Sequence, residues 1–98
     1  MANRGDKKTG GKRRKPWFLY LIECEDKSIY TGIAVDVEVR FEAHKRGTGA
    51  RYTRAHPPQK LLAIVEYSGR SAASQAEYLV KQMTAREKRD FAQRANGR

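Results

Sequence analysis

The chain has 98 residues, 39% of them hydrophobic and 33% charged, with a formal net charge of +10; this suits one domain with one modest core. No apolar run approaches the roughly 20 residues a membrane helix needs, and no apolar stretch follows the basic N-terminus, so a cytoplasmic protein without a membrane span or signal peptide is expected. Cys24 is the only cysteine and there are two histidines, which excludes an internal disulfide and a zinc site of the usual kind.

Residues 1–15 hold Arg4, Lys7, Lys8, Lys12, Arg13, Arg14 and Lys15 against Asp6, a net +6, and three glycines. With no apolar periodicity, this reads as a flexible basic arm preceding a domain over 16–95. A positive field of this kind concentrates polyanions, with nucleic acid the usual target. At Pro16 the composition changes. Trp17-Phe18-Leu19-Tyr20-Leu21-Ile22-Glu23-Cys24 reads as a strand buried on both faces, with Cys24 as a small core residue. After a polar turn at Glu25-Asp26-Lys27, Ser28 to Ile33 reads as a second strand, making a hairpin. Turn length matters here. A two-residue turn puts Tyr20 and Tyr30 on opposite faces, whereas a three-residue turn pairs Cys24 with Ser28 and puts both on one face.

Asp36 is placed to cap a helix running to about Arg46, where Gly47 stops it. At about 100° per residue, Val37, Arg40, Phe41 and His44 share one face of that helix. An amphipathic helix keeps its cations wet, so Arg40 on the apolar side needs a partner or a cleft. A boundary ion pair and a hydrogen-bonded core histidine are the structural alternative. A basic loop, Gly47 to Arg54, then leads through Pro57-Pro58 to a third strand, Lys60 to Tyr67. Ser71 is read as the cap of a second helix to about Met83, with Ala72, Ala76, Leu79, Val80 and Met83 as its apolar stripe. Glu77 sits on the shoulder of that stripe, where it could ligate a divalent metal or pair with Lys81 or Arg40. Thr84 caps a third helix, Ala85 to Ala95. The order ββαβαα predicts an α/β domain with a small three-stranded sheet flanked by helices.

Singly these signals are weak, but their order resembles the GIY-YIG nuclease superfamily, in particular its small single-domain bacterial members. It is also similar to the catalytic domain of structure-specific junction endonucleases. The resemblance rests on Phe18-Leu19-Tyr20 and Tyr30-Thr31-Gly32, ten residues apart at the tyrosines, then Thr31-Gly32-Ile33 and Asp36-x-x-x-Arg40-x-x-x-His44. It continues through Gly49-Ala50-Arg51-Tyr52-Thr53-Arg54 and ends on Ala76-Glu77 with Lys81 one turn on, covering about residues 16–90. The first triplet lacks its Gly and Ile, and the second has Thr for Ile. Some branches also use a late Asn; the only asparagines here, Asn3 and Asn96, lie near the termini, so that role is unfilled or unnecessary.

The resemblance implies a metal-dependent DNA endonuclease that hydrolyses phosphodiester bonds, with DNA repair or recombination as its setting, and that selects structure or strand rather than sequence. It makes Tyr20, Tyr30, Arg40, His44 and Glu77 the catalytic set. Glu77 would hold one Mg²⁺ or Mn²⁺, and a single carboxylate suits an ion that keeps several waters. Arg40 would neutralise charge on the phosphate. Tyr20 would act as base for the attacking water, helped by His44, while Tyr30 orients and Gly32 permits close approach. DNA, or alternatively RNA, would be gripped by Lys45, Arg46, Arg51, Arg54, Lys81 and the arm, through contacts that carry no sequence information. A monomer or weak dimer is expected, with a protein partner as one source of specificity. The rival readings are a non-catalytic nucleic-acid-binding protein of the same fold and a ribosome-associated accessory.

Overall fold

A computed structural model describes residues 15–97; the arm expected over 1–15 lies, up to residue 14, outside the described residues. Two strands, β1 (Trp17–Cys24) and β2 (Ile29–Ala34), form the expected hairpin. The turn has the odd length. Lys27 takes φ 75°, its N–H donates to the Cys24 carbonyl at 2.9 Å, and the Cys24 N–H donates to the Ser28 carbonyl at 2.9 Å. Asp26 fixes the corner by accepting from the Ser28 amide at 3.1 Å and the Ser28 hydroxyl at 2.6 Å, an Asx-type turn. The resulting register sets Tyr20 opposite Gly32 and Ile22 opposite Tyr30. Both tyrosines therefore project from one face, as period-two alternation requires.

Strand β3 (Pro58–Tyr67) pairs antiparallel with the other side of β1, giving the order β2-β1-β3. The central strand is thus covered on both faces, and every residue from Leu19 to Cys24 is buried. One face carries Tyr20, Ile22, Cys24, Ala34 and Val37 with Phe18, Tyr30 and Phe41 packed against them. Helix α1 (Val37–Lys45) covers it. Leu19, Leu21, Ile29 and Val80, with Ala76, Met83 and Phe91, fill the other, under α3 (Arg70–Lys81) and α4 (Ala85–Asn96). The architecture is the expected ββαβαα sandwich of helices on a three-stranded sheet. One short helix is added to it: α2 (Arg51–Ala55).

The local signals behave unevenly. Asp36 caps α1 by accepting from the Val39 amide at 3.1 Å, and the chain leaves the helix through Arg46 and Gly47, the latter at φ 79°. Thr84 and Glu87 form a reciprocal capping box at α4. Ser71 does not cap α3. The cap position lies two residues earlier, at Gly69, with no side-chain cap. The stripe that packs on the sheet is Ala73, Ala76, Val80 and Met83, in place of one through Ala72 and Leu79, and Leu79 is 63% exposed. The five-residue α2 falls inside what the sequence presents as a loop, because its organising contact is tertiary: Thr53 is buried against α1. Among the described residues, no helix is long and apolar enough to cross a membrane.

Candidate active site

The face under α1 is not an ordinary apolar core. His44, 1% exposed, stands in its centre, with Nε2 2.9 Å from the Tyr20 hydroxyl and Nδ1 2.7 Å from Thr53 Oγ1. The bonding pattern assigns the tautomer. Thr53 Oγ1 donates to the Ala50 carbonyl at 3.0 Å, so it accepts from Nδ1–H, and Nε2 is left to accept from Tyr20. The Ala50 amide approaches the same Nδ1 only at 3.4 Å, too long to displace the shorter bond. Burial, and then the nearby Arg40 guanidinium, push the His44 pKa down and keep the ring neutral. Burial and the adjacent Tyr30 push the Tyr20 phenol well above its ordinary value, against a smaller lowering by Arg40. In the resting site, then, Tyr20 is protonated and His44 is a neutral acceptor.

Two glycines make this packing possible. A Cβ on Gly32 would lie 2.6 Å from Tyr20 Oη and 2.7 Å from Cζ, and one on Gly49 would overlap the His44 ring. Glycine lets the backbone approach where any other residue would have to displace a buried ring.

From this sealed centre an aromatic series runs outward. Tyr30 stands edge-on to His44 with centroids 5.0 Å apart, Tyr52 lies 6.0 Å from Tyr30 at 25°, and His56 stacks on Tyr52 at 4.1 Å. Tyr30 and Tyr52 form one wall of a groove of about 360 Å³ whose other lining residues are Ile29, Thr31, Lys81 and Lys88. Tyr30 belongs to the His44 face of the sheet, while Ile29 and Thr31 belong to the opposite face. The groove therefore straddles the edge of β2, where α2 on one side meets α3 and α4 on the other.

The sequence-derived residues can now be placed. Tyr20, Tyr30 and His44 form one cluster, with Arg40 beside the Tyr20 hydroxyl. Arg40 as a residue is exposed, and its long stem lets the guanidinium stay wet while it reaches the Tyr20 hydroxyl. Glu77 comes from α3, on the other face, with its side chain 23% exposed and its carboxylate 3.3 Å from Lys81 Nζ. The pairing alternative for Glu77 is thus present, and it ties the carboxylate to the groove that Lys81 lines. Lys45 pairs with Glu42 at 3.4 Å, while Arg46, Arg51 and Arg54 are exposed around α2. Asn96 donates to the Leu62 carbonyl at 2.7 Å, a bond that fastens α4 to the sheet.

Gly49, Tyr52 and Thr53 lie within a stretch that carries the resemblance, but no role at the site was read for them. Tyr52 had a signal: an aromatic between two arginines in Arg51-Tyr52-Thr53-Arg54, the interleaving expected of a nucleic-acid surface. Thr53 had none, since its role depends on a histidine nine residues away.

For metal binding, no cluster of three or more His, Cys, Asp or Glu residues occurs among the described residues. A protein-only cage is thereby excluded among them. A lone carboxylate at a groove margin fits an ion that draws its remaining ligands from water and a phosphate.

Comparison with known proteins agrees with this geometry. The family model for the GIY-YIG catalytic domain matches residues 16–90. The chain is 59% identical over 68 residues to a UPF0213 protein of Xanthomonas campestris pv. campestris, covering 69% of this chain and 67% of that protein. It is 47% identical over 73 residues to the UPF0213 protein YhbQ of Escherichia coli, covering 74% and 73% respectively. The solution structure of EF2693 from E. faecalis superimposes with a TM-score of 0.56 at 31% identity, covering 82% of this chain and 85% of that one. The ordered motifs, the sheet with its helices and these matches agree, and the chain belongs to the GIY-YIG family of nuclease-type catalytic domains, among its small single-domain bacterial members.

Proposed function

We propose that this domain hydrolyses phosphodiester bonds in DNA with the help of a divalent cation. The observation that carries the reading is the buried Tyr20–His44–Thr53 chain behind Tyr30. A core does not need a neutral histidine held by both nitrogens, and an active site that must accept a proton does. Burial shifts the division of labour between the tyrosines. Tyr20 is 1% exposed, whereas Tyr30 lines the groove, so Tyr30 is the phenol that meets the attacking water. Tyr20 and His44 take up the proton behind it. Because Tyr20 can pass its own proton to Nε2 as it accepts another, the raised phenol pKa is no obstacle, and no free phenolate forms. Arg40, exposed at the rim, offers paired donors to the phosphate oxygens. Glu77 would hold Mg²⁺ or Mn²⁺, which when bound supplies a Lewis acid for the phosphoryl oxygens and a lowered pKa for bound water. The exposed Arg46, Arg51 and Arg54 suit phosphate contacts, so selection by strand or structure follows rather than by sequence.

The test is direct. The purified chain, given branched, single-stranded and duplex DNA with Mg²⁺, is expected to cut at least one of them and to stop in EDTA. Glu77→Ala and Tyr30→Phe should abolish cutting. Activity that survives both substitutions would sink the assignment, and binding without cutting by the unaltered chain would favour the non-catalytic reading.

A further inference from the structure

The groove at the edge of β2 holds more than catalysis requires. Tyr52 is 38% exposed, yet it is not a loose surface aromatic. One side is stacked on His56 at 4.1 Å and 18°, and His56 is itself held by Asp26 at 2.6 Å. Asp26 is the residue that fixes the hairpin corner. The ring is thus presented in a set orientation, next to Tyr30 and pointing into the groove. Two cations stand at the same groove. Lys81 and Lys88 both line it, and Lys88 lies close enough to Lys81, and deep enough, to have its pKa lowered by burial and by its neighbour's charge. Lys81 pairs with the Glu77 carboxylate at 3.3 Å and Lys88 Nζ donates to the Ile29 carbonyl at 3.3 Å, so both ammoniums are held at the groove. Finally, the hydroxyl of Thr31, a groove residue 2% exposed, is buried with no hydrogen-bond partner. Buried hydroxyls without partners are uncommon and point to one that arrives from outside.

An aromatic face, paired cations and an unsatisfied hydroxyl within one groove are the complement of a single nucleotide. The base of a paired nucleotide is stacked within the duplex and cannot offer its face to a side chain. We propose that this groove is a subsite for one unpaired nucleotide next to the scissile phosphate, its base against Tyr52 and its phosphate between Lys81 and Lys88. This rests on the reading of the domain as one that acts on DNA, and it narrows the substrate to strands unpaired at the point of attack.

Binding can be measured in EDTA, independently of cutting, with a labelled single-stranded oligonucleotide and a blunt duplex of the same sequence. Tyr52→Ala is expected to weaken single-strand binding about tenfold, in the range of one stacked base, and duplex binding by less than about twofold. Tyr52→Trp should restore the single-strand affinity. Lys88→Gln should lower the salt dependence of single-strand binding by about one phosphate's worth, a slope change of about 0.7. An oligonucleotide carrying one 2-aminopurine should be quenched on binding to the unaltered chain, and quenched less by Tyr52→Ala. Equal losses on both substrates, or no quenching by the unaltered chain, would overturn the subsite. Discrimination in EDTA by a chain that cuts nothing would leave the subsite standing and remove the proposed hydrolysis; undiminished cutting of unpaired DNA by Tyr52→Ala would do the reverse.

Discussion

The two faces of the same three-stranded sheet are built on opposite principles. Under α3 and α4, Leu19, Leu21, Ile29 and Val80 make an apolar layer, whose stability comes from area removed from water. Under α1 and α2, the equivalent depth is occupied by a phenol, an imidazole and a hydroxyl joined by bonds of 2.9 and 2.7 Å. Such a network stabilises only when complete, because each partner left unsatisfied in the interior is costly. One face can thus lose volume gradually, while the other leaves a buried polar group unpaired at the first missing atom. The proposed site draws on both, because Glu77 comes from the apolar side and Tyr30 from the polar side.

The largest effect expected on this contrast is from His44→Ala, which removes the proton acceptor of the polar face. A fall in cleavage rate of about 10²–10⁴ is the usual loss for a general base, and single-turnover assays would measure it. The pH dependence carries a sign. Burial and Arg40 hold the His44 pKa below the ordinary value, so the ring stays an acceptor into mildly acidic solution. Activity and the network's contribution to stability are both full above about pH 6.5, and both fall as the pH drops through the lowered pKa. An acid limb at or above the ordinary histidine value would contradict the assignment.

Next in size is Leu21→Ala on the apolar face. Leu21 is fully buried, and the cavity should cost about 2–5 kcal/mol in a denaturant titration. Cleavage per folded molecule should hold. A comparable loss of cleavage would mean that the faces are not separable. The smallest effect on stability, about 1–3 kcal/mol by overpacking, is expected from Gly32→Ala. Its Cβ would press on Tyr20 Oη and Cζ. Here cleavage should suffer more than stability, because the displaced ring is the one bonded to His44.

The same contrast explains what could be read in advance. Strands β1 and β2 and the Asp36 and Thr84 caps are written in neighbouring residues, and they form where expected. The common face of Tyr20 and Tyr30 depended on turn parity, and the left-handed Lys27 resolves it. Helix α2 was not legible, since five residues without a side-chain cap make no helix signal and Thr53 takes its place from His44. Leu79 was misplaced because apolarity alone put it in the stripe, whereas the small Ala73 is the residue that packs against the sheet. Arg40 was expected on the buried side because phase locates the Cβ, whereas the long stem decides where the charge ends. The residues proposed as catalytic were legible as a family order, but the groove was not, for it is assembled from four elements at a strand edge.

The ion pair at the far end of β1 bears on how the chain is made. Glu23 is buried in the first strand, and Arg89 of the last helix donates to its carboxylate at 2.8 Å and to the Lys27 carbonyl at 2.7 Å. Lys60 approaches no closer than 3.8 Å. During synthesis the hairpin therefore leaves the ribosome carrying a carboxylate whose close partner has yet to be translated. Until residue 89 emerges, that end of the sheet must stay hydrated, and the charge discourages the nascent strands of neighbouring chains from pairing with it. The Glu23–Arg89 pair itself can form only once α4 is available.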